Sequence, residues 1–166
     1  MPARDFEVVV TTAQPSADAV VAEEDTYLVL SAEPEVREPA VARLHVFHEA
    51  YAAEPVEPGS VVVRQGSPLR FLAVVHDLSQ DKSWREEWIA GALDAVLREA
   101  DAWKVRYLAL PPLGRVHGAL PRERLVVLLR AALRARPPRH LERLFLVVPD
   151  DEAAIFKELL GSSRWC

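Results

Sequence analysis

Apolar residues in the first thirty positions fall into three clusters. Phe6 to Val10, Asp18 to Ala22 and Thr26 to Ser31 are rich in Val and Leu and are separated by polar or Pro-containing turns. β-Branched stretches bounded by turn residues predict strands. Pro34 and Pro39 forbid continuation of a sheet, and Pro39 suits the first turn of a helix running to about Ala53. Ala40, Leu44, Phe47 and Tyr51 recur along that helix at helical spacing. Val61 to Arg64 and Leu69 to His76 flank Gln65, Gly66, Ser67 and Pro68. Gly and Pro there supply the backbone angles of a reversal, so the pair predicts a β-hairpin.

The second half of the chain alternates helix and strand. Ser83 and Glu86 have capping-box spacing, and Ile89, Leu93, Val96 and Ala100 follow on one stripe, predicting a helix from about Trp84 to Asp101. Val105 to Leu110 is a short apolar run suited to a buried strand. Pro121 then opens a helix with Leu125, Leu128, Leu129, Ala132 and Leu133 facing inward, and Pro137 and Pro138 stop it. Leu144 to Val148 predicts another buried strand. Asp150 or Asp151 caps a last helix whose stripe is Ile155, Phe156, Leu159 and Leu160, before Gly161. Strands separated by crossovers of this length predict an α/β fold: three layers, with a mixed, mostly parallel sheet covered on both faces. Ligands in such sheets sit at the carboxyl ends of strands, which directs attention to the loops after Ala22, Leu110 and Val148.

Composition narrows the class. The chain has 166 residues, half of them apolar and 27% charged, the balance of one globular domain spanning 1–166. No apolar run reaches the roughly 20 residues needed to cross a bilayer, and the first residues lack a signal-peptide core, so no membrane association is expected. The single cysteine, Cys166, allows no internal disulfide and fits a reducing cytoplasm. At the chain's last position it has no oriented base beside it. Residues 1–100 carry 8 Lys+Arg against 18 Asp+Glu, and residues 101–166 carry 12 against 7. Positive charge gathers at Arg122, Arg124, Arg130, Arg134, Arg136, Arg139 and Arg143. Such a set would suit phosphates or nucleic acid, but it is also what the solvated face of an amphipathic helix holds, and the second reading is favoured.

Several side-chain groups invite chemistry. His45, His48 and Glu49 share a helix face and would offer three metal ligands, although no fourth is identifiable and no zinc signature matches, so no metal is expected. His76 and Asp77 end a predicted strand; neighbours there point to opposite faces, which favours a structural histidine over a dyad. Ser79 and Ser83 lack the strained elbow that activates a nucleophile. Trp84 and Trp88, one turn apart, suit core packing or a partner surface. Arg115 and His117 precede a helix N-terminus, where an anion is favoured.

The segments 58–63, 71–76, 107–114, the helix after Pro121 and 144–152 together resemble macro domains over about a hundred residues, in order as well as texture. The resemblance implies a three-layer α/β/α fold and ADP-ribose or a related phosphate-bearing nucleotide as ligand. In that family the loop after the fourth piece wraps a diphosphate with backbone amides. Here it reads Gly114, Arg115, Val116, His117, Gly118, Ala119, Leu120, Pro121, with Val116 and Ala119 where the family has glycines. A Cβ at such positions weakens an anion nest, and Gly118 would restore it after a one-residue shift. Asp18 to Asp25 is similar to the family's Asp-Ala-Ile-Val-Asn-Ala-Ala-Asn, but its asparagines become Ala22 and Asp25 and the following glycine-rich segment is missing. At the adenine end Pro149 and Asp150 replace an aromatic-Asp pair, and Thr11 falls where the family has an acid.

The resemblance thus implies ligand contacts at Gly114, Arg115, Val116, His117, Gly118, Asp25 and Asp150, with no catalytic residue and no cofactor. Three functions stay open. The chain is a weak, non-catalytic nucleotide-binding module, or an interaction module with a closed cleft that self-associates, or an ADP-ribosyl hydrolase with an altered site using His76, His117 or Asp25.

Overall fold

The computed structural model describes residues 5–30, 55–80, 82–161 and 164–165. The helix expected from Pro39 to Ala53, and with it His45, His48 and Glu49, lies outside them. Strand β1 is Phe6–Thr11, β2 is Ala19–Asp25, β3 is Val61–Arg64, β4 is Leu69–His76, β5 is Tyr107–Leu110, β6 is Arg143–Val147 and β7 is Arg164–Trp165. Helices α1 (Glu86–Ala102), α2 (Arg122–Ala135) and α3 (Ala153–Leu160) fall between the later strands. One sheet runs in the order β3-β4-β2-β5-β6-β1-β7. Its five inner strands are mutually parallel, while β3 and β7 are antiparallel to their neighbours. The mixed, mostly parallel sheet is therefore as predicted.

Helical spacing accounts for the packing. α1 turns Ile89, Leu93, Val96 and Ala100 inward against β4 and β3, while α3 packs Phe156 near β1 and α2 lies between the two helices. On α2, Leu125, Leu129, Ala132 and Leu133 are buried; Val126 is buried as well, and Leu128 is half-buried at the margin. Phe71 to His76 on β4 are buried throughout, since strands flank both edges and α1 covers one face.

Four expectations need correction. Thr26 begins a turn, not a third strand, and β2 runs on to Asp25 instead of stopping at Ala22. The carboxylate of Asp25 accepts the amides of Tyr27, Val29 and Leu30, and this local capture of backbone donors outweighs the β-propensity of the Leu and Val residues. Ser83 does not cap α1: the N-cap position is Arg85, with no side-chain bond, and the Ser83 hydroxyl is engaged by His76 instead. Neither Asp150 nor Asp151 caps α3, because the chain makes one further turn and Glu152 takes the N-cap position. The two-residue β7, too short to show periodicity, adds an edge beside β1.

The uneven charge along the chain acts across elements. Arg124 of α2 pairs with Glu86 of α1 at 2.8 Å, Arg136 with Asp94 at 2.9 Å, and Arg143 with Glu7 at 3.3 Å. Arg130 donates to the carbonyls of Leu159 and Leu160 at the end of α3.

Candidate functional site

The sheet order sets β4, β2 and β5 side by side, so the loops after His76, Asp25 and Leu110 meet at one end of the sheet. Three consecutive acids, Glu23, Glu24 and Asp25, close β2 there, and all three are buried. Burying a carboxylate is tolerable only when donors replace its water. Glu23 has three. Its Oε1 accepts the amide of Gly114, and its Oε2 accepts the amide of His117 at 2.7 Å and lies 2.9 Å from His76 Nε2. The other ring nitrogen of His76, Nδ1, is 2.9 Å from Ser83 Oγ. His76 is fully buried, and the His117 ring meets it edge to face at 6.2 Å between centroids.

A bulge between Glu24 and Asp25 re-aims the end of β2. Asp25 thereby draws in the loop behind it, and Glu24 accepts the amides of Asp25 and Leu30.

Of the seven residues singled out in the sequence, Gly114, Val116, His117, Gly118, Arg115 and Asp25 surround this junction or the loop that forms it. Asp150 is exposed, in the turn after β6. Gly114 has φ +81°, the conformation for which a glycine is needed. Gly118 is required by space: a Cβ there would lie 2.6 Å from the Gly114 carbonyl oxygen and 2.9 Å from Trp84 Cδ1. Val116 and Ala119 are not among the described positive-φ residues, so the loop follows a path that tolerates their side chains. Val116 and His117 are exposed.

Arg115 turns along its own loop. Its Nη1 donates to the Leu120 carbonyl at 2.7 Å, its Nη2 pairs with Glu152, and its Nε is buried without a partner. Arg122, at the start of α2, reaches the same Glu152 oxygen at 3.5 Å.

His76 and Asp77 form no dyad, as alternation predicts. Asp77 accepts the amide and hydroxyl of Ser79 and the side-chain amide of Gln80. The Ser79 hydroxyl is the chief reason its carboxyl titrates below the usual range. The partner of His76 is Glu23, 53 residues away. Sequence reasoning passes over Glu23; its signal is a run of three acids closing an apolar strand. Trp84 packs against Gly118 and holds Lys82 over its ring, while Arg85 stacks over Trp88. A cleft of about 240 Å³ opens beside the loops that follow Asp25 and His76, between Tyr27, Val56, Pro58, Asp77 and Ser79. Among the described residues no group of three His, Cys, Asp or Glu could hold a metal ion, and no helix is long and apolar enough to cross a membrane.

No protein-family model matches the chain. An uncharacterised protein of Aquifex aeolicus is 29% identical over 117 residues, 68% of this chain and 71% of that protein. Among solved structures, the macrodomain of Thermus aquaticus DarG superposes with a TM-score of 0.61 at 20% identity, covering 84% of this chain and 97% of its own. A point mutant of the Oceanobacillus iheyensis macrodomain, solved with ADPR, superposes with a TM-score of 0.67 at 13% identity, covering 95% and 97%. The chain has the α/β/α macrodomain fold, at a sequence distance that leaves its site to be read from its own residues.

Proposed function

We propose that this protein is a non-enzymatic binding module for a phosphate-bearing nucleotide of the ADP-ribose class, which it holds weakly through the loop 114–121. One observation carries the reading: the backbone amides of Gly114 and His117 converge on a single carboxylate, that of Glu23. A loop whose amides point at one anion is built to hold an anion, and it precedes the N-terminus of α2, where the helix dipole adds to the attraction. The O. iheyensis macrodomain solved with ADPR has the same fold, which supports that ligand class here.

Binding is weak because any phosphate at these amides competes with a carboxylate already in place. Catalysis is disfavoured on the same grounds. Glu23 and Asp25 each accept several hydrogen bonds, and a carboxylate whose oxygens are taken up by the protein's own donors is not positioned to receive a proton from a substrate. Isothermal titration calorimetry with ADP-ribose and ADP tests the reading. A saturable heat with a Kd on the order of 0.1–1 mM is expected, together with no turnover of an ADP-ribosylated protein. Absence of heat at millimolar ligand, with the protein shown to be folded, would remove the nucleotide-binding reading.

A further inference from the structure

We infer that Glu23 is a displaceable internal competitor for the anion nest of the 114–117 loop, and that His76 and Ser83 form the latch that holds it there. The inference rests on the reading of that loop as an anion site. Glu23 is at strand β2, whereas its amide donors lie 91 and 94 residues further along the chain, so the contact is no local turn. A non-polar side chain at position 23 would leave the amides of Gly114 and His117 and a ring nitrogen of His76 facing one another without an acceptor. Glu23 therefore supplies the negative charge for which the loop is shaped. It also keeps that loop in the conformation a ligand would need.

A phosphate can take these amides only if the Glu23 carboxylate leaves them. The carboxylate is tethered, so its effective concentration at the nest is high, and an anion arriving from solution is handicapped accordingly. His76 adds to the hold. Its Nε2 faces Glu23 Oε2 while its Nδ1 is fixed by Ser83 Oγ, so the ring has one orientation and the carboxylate one seat. Ser83 touches neither Gly114 nor His117 in any described hydrogen bond, and its influence on the nest passes through His76.

The test is a titration of 15N-labelled protein with inorganic phosphate, following the amide signals of Gly114 and His117, in the wild type, Glu23→Gln and Ser83→Ala. In the wild type both signals move little up to high millimolar phosphate. Glu23→Gln removes the competing charge; both amides should then shift saturably, with phosphate bound at least roughly tenfold more tightly. Ser83→Ala frees the latch and should give a smaller gain at the same two amides. Identical titrations in all three proteins would overturn the inference, as would shifts in Glu23→Gln that bypass Gly114 and His117. If Glu23→Gln fails to fold, Ser83→Ala decides alone: a gain at the same two amides sustains the inference, and a titration indistinguishable from wild type overturns it.

The outcome is separable from the proposed function. Phosphate binding gained by Glu23→Gln in a protein that shows no heat with ADP-ribose sustains the competitor and removes the nucleotide ligand. Wild-type binding of ADP-ribose with unchanged variants does the reverse.

Discussion

Gly114 shows how much one position can depend on being glycine. Its φ of +81° is costly for a side chain, and a Cβ there would sit 2.5 Å from Ile89 Cδ1 and 3.1 Å from Leu120 Cβ. Backbone strain and a clash inside the core coincide, so Gly114→Ala should cost about 1–3 kcal/mol of stability. Urea denaturation checks this, and an unchanged midpoint would show that the loop relaxes freely. The importance of Gly114 is legible in the sequence as the start of a recognisable loop, whereas the packing constraint on Gly118 is not. The sequence casts Gly118 as a replacement phosphate-contacting glycine; its observed constraint is the Gly114 carbonyl and the Trp84 ring. Glu23 is legible only as the first of three acids that close an apolar strand. An acid at a strand end ordinarily faces water, and nothing local reveals that two amides and an imidazole from elsewhere in the chain will surround it.

At the scale of elements, the helices are easier to place from the sequence than their first turns. The apolar stripe of α1 is where periodicity puts it, yet the hydroxyl expected to cap it serves His76, a residue on another element. The side chains of α1 and α2 also act on each other. Glu86 titrates below the usual carboxylate range chiefly because of its hydrogen bond to Arg124, whose own pKa is raised chiefly by Glu86. A carboxyl whose folded-state pKa is depressed stabilises the protein above its unfolded pKa. That contribution is lost as the pH falls through the depressed value. Both groups are solvent-exposed, so the contribution to stability is small and screened by salt. Arg124→Ala should raise the Glu86 midpoint toward the ordinary value, most visibly at low ionic strength, as read by NMR titration of its side-chain carboxyl carbon. A midpoint that stays depressed would mean that Arg124 is not the source.

Across the whole molecule, the order of strands and helices is legible because a mostly parallel sheet writes its buried strands as short apolar runs and its helices as stripes. What is not legible is pairing at a distance: which acid answers which arginine, and which carboxylate fills which loop. The arginine-rich second half illustrates the point. Taken along the chain, residues 101–166 form a cationic stretch fit for a polyanion. Folded, Arg124, Arg136 and Arg143 meet Glu86, Asp94 and Glu7 from the acidic first half, and Arg115 and Arg122 share Glu152. Nucleic-acid affinity depends on cations free to displace counterions from phosphates, and an arginine already paired with a carboxylate must first surrender that partner. Fluorescence anisotropy with labelled single- and double-stranded oligonucleotides should therefore show no saturation below about 100 μM at physiological salt. Micromolar binding whose logarithm falls steeply with the logarithm of salt concentration would show that these pairs open readily, and that the second half does present a cationic face to a polyanion.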